Sequence, residues 1–210
     1  LNFLPTWQFV GRSLVITEIV GPGFMKINTT FRKTYRRALA IYISLTAIQY
    51  ALLRISCLNK SDSLITSLSN ISTAGLMNLN NGNIVGYGLS VKIIITTFAF
   101  LSSLNFSILL LATMKKFREL TEGPELKFHA GRILTTTIFI TGILYITYNR
   151  TLSSLKEFGN VLMQVISYFT TAGYQISDTN GWPGAACAII LIQMFIGACA
   201  ISSGGGIKAA

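Results

Sequence analysis

The chain has 210 residues, of which 51% are apolar and only 11% charged, with a mean hydropathy of +0.57. A soluble domain of this length carries far more charge, so composition sets aside the ordinary soluble enzyme or binding module and makes a membrane protein the default. The net charge of +10 sits largely in two clusters, Lys26, Arg32, Lys33, Arg36 and Arg37, then Lys115, Lys116, Arg118, Lys127 and Arg132; the positive-inside rule places both in cytoplasmic loops and leaves nucleic acid no part in explaining them.

In chain order, residues 1–25 are mixed in character and contain no full span, and Gly21-Pro22-Gly23 stops any helix there. Neither end has a removable signal peptide, and a chain that opens on Leu1 and stops at Ala210 reads as a fragment. The first span is expected over Ala38 to Leu58, with Arg54 near its far end snorkelling toward the interface. Asp62 to Ser72 is too short and too hydroxylated to cross a bilayer; Asp62 is its expected N-cap, and it ends at Thr73-Ala74-Gly75. A polar turn at Asn78 to Asn83 precedes an apolar run from Ile84 to Met114 that contains Lys92.

The pattern then recurs. Ile133 to Tyr148 is apolar, Phe158 to Thr170 is short and amphipathic, and Thr171-Ala172-Gly173 follows. A polar turn at Ser177 to Gly181 leads to an apolar run from Trp182 to Ile201, which the glycines of Ser202-Ser203-Gly204-Gly205-Gly206-Ile207-Lys208 would break. Thr171 follows Thr73 by 98 residues, and the same shift carries Ser69 onto Ser167 and Gly75 onto Gly173. The expected organisation is a remnant and basic loop over 1–37, one repeat over 38–114, a cytoplasmic loop over 115–132 and a second repeat over 133–210.

A short helix that stops halfway across a membrane leaves backbone polar groups that lipid cannot satisfy, so the following loop must be buried or line water. Backbone carbonyls in such a loop can replace the hydration shell of a cation, and the helix C-terminus adds about half a negative charge. Gly75 and Gly173 suit strands that need positive φ, and Thr73 and Thr171 add uncharged hydroxyl oxygens. The fold class expected is all-α membrane, built of span, re-entrant pore helix with filter loop, and span. Thr73, Ala74, Gly75, Thr171, Ala172 and Gly173 are the expected ion-binding residues.

Nothing in the chain points to catalysis or a resident cofactor. Cys57, Cys187 and Cys199 lack metal-ligand or disulfide spacing and read as packing residues. His129, the sole histidine, reads as solvated in the second basic loop. Asp178, five residues after Gly173, either focuses cations at an outer mouth or closes a turn. No nucleophile motif, P-loop or nucleotide fingerprint is present.

Thr170-Thr171-Ala172-Gly173-Tyr174, Asp178, Trp182-Pro183 and Phe195-Ile196-Gly197-Ala198-Cys199 leading to Ser202-Ser203-Gly204-Gly205-Gly206-Ile207-Lys208 together resemble the third repeat of the Trk/Ktr/HKT superfamily of cation transporters, the bacterial Trk-type membrane subunit above all. Ile41-Tyr42, Leu45-Thr46, Ser72-Thr73-Ala74-Gly75-Leu76 and Asn105-Phe106 resemble its second repeat, and Glu125-Leu126-Lys127-Phe128 its connecting loop. Arg12-Ser13-Leu14 resembles the start of a first-repeat outer helix that runs too soon into Glu18 and Gly21-Pro22, and Arg54 and Lys92 depart from the apolar pattern.

The resemblance implies four repeats around one pathway, of which this chain holds two, and potassium uptake through a carbonyl-lined filter in a bacterial inner membrane. It implies a gate at Gly204, Gly205, Gly206 and Lys208, a homodimer, and a cytosolic nucleotide-binding regulatory subunit. Two other readings stay open: a non-conducting membrane scaffold or decayed copy, and a sodium-permeable member, since serine in place of a filter glycine goes with sodium in that family.

Overall fold

A computed structural model describes residues 31–76, 79, 83–105, 108–109, 124–148, 155–199 and 202–207. The expectations for residues 1–30, for Phe106, for the basic cluster at 115–118 and for Lys208 lie outside the described residues. Six helices follow one another: α1 (Phe31–Ile55), α2 (Lys60–Ser72), α3 (Leu89–Ser103), α4 (Pro124–Thr147), α5 (Leu155–Phe169) and α6 (Gly184–Ile196). No strand occurs among the described residues; the nearest approach is an isolated parallel bridge between Asn83 and Gln175.

Within α1 and α4, the stretches Arg36–Ile55 and Leu126–Thr147, of 20 and 22 residues, are long and apolar enough to cross a bilayer. Only 17% and 28% of their apolar windows are buried in the molecule. A core helix of a soluble protein would hide that surface; here Leu39, Ile43, Ile48 and Leu52 on α1, and Leu134, Ile138 and Ile146 on α4, remain exposed. Hydroxyl side chains inside these helices are satisfied locally, as Thr46 donates to the Tyr42 carbonyl (2.9 Å), Thr137 to Ile133 (2.8 Å) and Thr141 to Thr137 (2.8 Å). Back-bonding of this kind lets a Thr-rich helix face an apolar surround without a stranded donor.

The two halves repeat one plan. α1 packs on α2 and α3, α4 packs on α5 and α6, and α3 joins the halves by packing on α5. The first core gathers Leu53, Leu58, Ile84, Val91, Ile95 and Ala99, but it is completed by Ala172, Tyr174 and Ile176 from the second half. The second core holds Ile133, Ile140, Leu144, Val161, Val165, Phe169, Ala186 and Ile190. Residues 172–176 of the second repeat thus fill the core of the first, which fixes the two loops relative to each other.

Several sequence expectations need correction. Among the described residues of the apolar run from Ile84, α3 covers only Leu89 to Ser103, because residues 84–88, with Gly86 and Gly88, form an irregular segment and Leu104 turns extended before the short helical piece at 108–109. The final helix ends at Ile196, at Gly197 with φ +72°, rather than at Gly204 to Gly206. Asn59, not Asp62, is the N-cap residue of α2; Asp62 lies in the first turn, 3.3 Å from the Asn59 amide nitrogen. α4 starts at Pro124, a residue suited to a first turn, and so draws Lys127, His129 and Arg132 into a helix.

His129 is not solvated. It is 1% exposed, with Nε2 3.0 Å from Ser103 Oγ and its ring against Phe100 and Phe169 at centroid distances of 5.9 and 5.1 Å. Arg54 ends α1 and donates to the Leu58 carbonyl, while Lys92 stands in the first turn of α3. Both charges therefore sit at helix ends, where long side chains reach an interface.

Candidate functional site

α2 and α5 are 13 and 15 residues long, about two-thirds to three-quarters of a bilayer crossing. Each has an acidic residue in its first turn, Asp62 or Glu157, and no basic residue in its last. Neither helix thus supplies a basic residue of its own at the negative end of its dipole.

Both helices close in the same way. Thr73 and Thr171 adopt left-handed backbone, with φ of 50° and 60°. The Thr73 amide donates to Asn70 O (3.3 Å) and the Ala74 amide to Ser69 O (3.0 Å); 98 residues on, Thr171 donates to Tyr168 O and Ala172 to Ser167 O, both at 3.1 Å. This is Schellman closure, usually built on glycine. It satisfies helical carbonyls that sequence reasoning expected to be free. The uncommitted oxygens come one step later: among the described residues, no hydrogen bond reaches the carbonyls of Thr73, Ala74, Gly75, Thr171, Ala172 or Gly173. Gly75 and Gly173 have φ of +68° and +78°, the conformation expected of them.

The second strand is bounded above by Gln164, a residue the sequence reading missed. Gln164 is fully buried; its Nε2 donates to Tyr174 O (3.2 Å) and its Oε1 accepts the amides of Ile176 (2.6 Å) and Ser177 (2.8 Å). Ser167 Oγ donates to the same Tyr174 carbonyl at 2.7 Å. The free row therefore ends at Gly173, since Tyr174 O is turned back into the protein. The available signal was a glutamine on the buried face of an amphipathic helix, seven residues before Thr171. Beyond it, the Gln175 carbonyl accepts the Ile84 amide (2.9 Å), and Asp178 Oδ1 accepts the Asn180 amide (3.1 Å), which makes Asp178 a turn residue in an exposed position.

The threonine hydroxyls do not stand free beside the carbonyls. Thr73 Oγ1 lies 2.6 Å from Ser203 O, and Thr171 Oγ1 accepts the Gly205 amide at 2.9 Å. The Gly-rich loop after α6 is thereby seated under both strands. Ser203 Oγ also donates to Ser102 O (2.8 Å), Cys199 N to Ser103 O (3.3 Å) and Ala198 N to Gly205 O (3.1 Å). A side chain at Gly204 would collide with the Ala198 methyl, and one at Gly206, with φ +102°, would strike Gly197.

Arg132, expected in a loop, reaches the start of this segment from α4. Its guanidinium lies 4.5 Å from the Phe169 ring centroid and donates to Gln193 Oε1 (3.2 Å), with Gly197 O at 3.5 Å. A cation at the C-terminal end of α6 is favoured by that helix's dipole, and cation–π contact ties it to the last residue of α5. Cys57 and Cys187 are exposed and Cys199 is buried, and none of them forms a disulfide; among the described residues, no cluster of metal-ligating side chains occurs.

No protein-family model matches the chain. It is 28% identical over 216 residues to the Trk system potassium uptake protein TrkH of Halomonas elongata, covering 98% of this chain and 42% of that protein. It is 28% identical over 209 residues to TrkH of Salmonella typhimurium and 26% to TrkH of Escherichia coli K12, covering 98% of this chain and 43% of each relative. The crystal structure of the potassium transporter TrkH from Vibrio parahaemolyticus matches the fold with a TM-score of 0.76 at 22% identity, over 95% of this chain and 44% of that one. The chain spans less than half the length of the curated relatives it matches. With its all-α membrane fold of repeated span, half-helix and span, this chain is similar over nearly its whole length to part of the Trk system potassium uptake proteins TrkH.

Proposed function

We propose that the chain contributes two filter strands, residues 73–75 and 171–173, to a pathway that carries potassium across a membrane. The observation that carries this reading is the pair of matched rows of carbonyls that no hydrogen bond among the described residues reaches, each just past the negative end of a half-helix. Oxygens so placed substitute for the hydration shell of a dehydrating cation. Six such carbonyls supply part of a coordination sphere, and the repeats of the resemblance that lie outside this chain would supply the rest. The names of the relatives, all potassium uptake proteins, support potassium as the ion and transport rather than catalysis.

Gly204, Gly205 and Gly206, with Lys208, form the gate below the filter in this reading; the support is the seating of residues 203 and 205 on the two filter threonines. The basic clusters face the cytoplasm of a bacterial cell by the positive-inside rule. Pairing as a homodimer and control by a cytosolic nucleotide-binding subunit follow from the resemblance. Expression of the complete gene in a host lacking potassium uptake tests the proposal. Growth at low potassium is expected, with loss on Gly173→Ala. No rescue, with the protein folded and in the membrane, favours the non-conducting scaffold, and rescue of sodium rather than potassium uptake favours the sodium-permeable reading.

A further inference from the structure

We propose that Thr73 and Thr171 are gate-anchoring residues, whose hydroxyls tie the Gly-rich loop at 202–207 to the bases of both filter strands. The proposal rests on the reading of these strands as a filter. It concerns what their side chains do, which is different from binding the ion.

The first observation is strain. Thr73 and Thr171 are β-branched, yet both hold positive φ, 50° and 60°, at a position where glycine or asparagine fits with less cost. Such backbone costs on the order of 1–3 kcal/mol and persists only when surroundings over-determine it. Its recurrence at both matched positions calls for something that only the threonine side chain supplies.

The second observation is where the hydroxyls go. Both reach one loop, and neither reaches its own strand's carbonyl row. Thr73 Oγ1 is 2.6 Å from Ser203 O; the Ser72 carbonyl, at 2.7 Å, competes for its single proton. Thr171 Oγ1 accepts the Gly205 amide at 2.9 Å, and its Cγ2 lies 3.6 Å from where a Cβ on Gly205 would stand. One strand holds a loop carbonyl and the other a loop amide, two residues apart. The loop thus cannot withdraw without breaking a bond at each strand.

A consequence for ions follows. While the loop is seated, the Thr171 oxygen accepts the Gly205 amide; when the loop leaves, that acceptor becomes available at the base of the filter, whereas Thr73, which donates, keeps its lone pairs in both states. A cation there and the released loop then favour each other, and by linkage the coupling is reciprocal. Raised potassium at the lower filter should promote release.

The test is hydrogen exchange at residues 198–207 of the full-length protein in lipid nanodiscs, with potassium or a non-permeant cation present. In the unmutated protein the Gly205 amide is expected to be protected, although Gly205 is an exposed residue. Thr171→Val preserves shape and branching but removes the acceptor, and is expected to accelerate Gly205 exchange roughly tenfold, the loss of about one hydrogen bond. Thr171→Ser is expected to restore protection to within about twofold. Thr73→Val with Thr171→Val is expected to loosen the loop at both anchors, leaving its bonds to Ser102, Ser103 and Phe195, and to abolish the effect of potassium on Gly205 exchange. Valine and serine variants behaving alike, or an unprotected Gly205 amide in the wild type, overturns the anchor, the latter even if no valine variant folds. Exchange is read whether or not the protein transports. Absent uptake with normal protection counts against the filter reading alone, whereas uptake with unchanged exchange in Thr171→Val counts against the anchor alone.

Discussion

Replacing Gln164 with leucine removes one donor and one shared acceptor from a fully buried site while nearly preserving volume, so the cost is electrostatic rather than a cavity. The Tyr174 carbonyl keeps Ser167 Oγ at 2.7 Å, but the Ile176 and Ser177 amides lose their acceptor at 2.6 and 2.8 Å. Ile176 is fully buried, so its amide has no water to turn to, whereas half-buried Ser177 recovers part of its loss. At ~1–3 kcal/mol for a stranded buried donor, the expected destabilisation is about 2–4 kcal/mol. Ser167→Ala alone leaves Tyr174 O one donor and should cost about 1 kcal/mol. The double variant strips that carbonyl bare, so its cost should exceed the sum of the singles by about 1 kcal/mol. The assay is denaturation of detergent-solubilised protein, paired with the potassium-over-sodium uptake ratio, which should fall once Tyr174 O is free to turn toward the ion path. A cost below about 0.5 kcal/mol for Gln164→Leu, or strict additivity with Ser167→Ala, would refute the clamp.

Two further outcomes follow from the loop and its support. Gly204→Ala drives a methyl into Ala198 and is expected to cost about 1–3 kcal/mol, while Gly205→Ala meets only ordinary contacts at 3.5–3.9 Å and should cost under about 1 kcal/mol; equal denaturation midpoints for the two would show that the loop is not seated as described. Arg132→Ala loses the Phe169 stacking and the hydrogen bond to Gln193, an expected cost of about 1–3 kcal/mol in the same assay, and lysine should recover less than half because it lacks the planar fork.

The repeat was legible because its signals are local. Two Thr-Ala-Gly elements 98 residues apart, each after a segment too short to span, announced two half-helices, and Gly75 and Gly173 do take positive φ. What escaped depends on contacts distant in sequence. His129 and Arg132 looked solvated because they follow a basic cluster, but Ser103, Phe169 and Gln193 come from three other helices to receive them. Gly197 ends α6 before the glycine triplet because its positive φ folds the loop back, so that Ala198 meets Gly205 and Ile207 meets Phe195. The sequence offers the threonine hydroxyls as extra oxygens for the ion; only the approach of residues 203–205, 130 positions from Thr73 and 34 from Thr171, reveals their other partner.

Tracer flux into liposomes reconstituted with the full-length protein bears most directly on residues 73–75 and 171–173. A Cβ at Gly75 meets no atom within 4 Å, so alanine there acts through φ alone, at about 1–2 kcal/mol, and leaves the fold intact. Rubidium tracer uptake driven by a potassium gradient is expected in the wild type, and Gly75→Ala and Gly173→Ala should each lower it at least roughly tenfold, for a distortion of that size at the coordinating backbone. Folded alanine variants that pass rubidium at the wild-type rate would contradict a backbone-carbonyl filter at these strands.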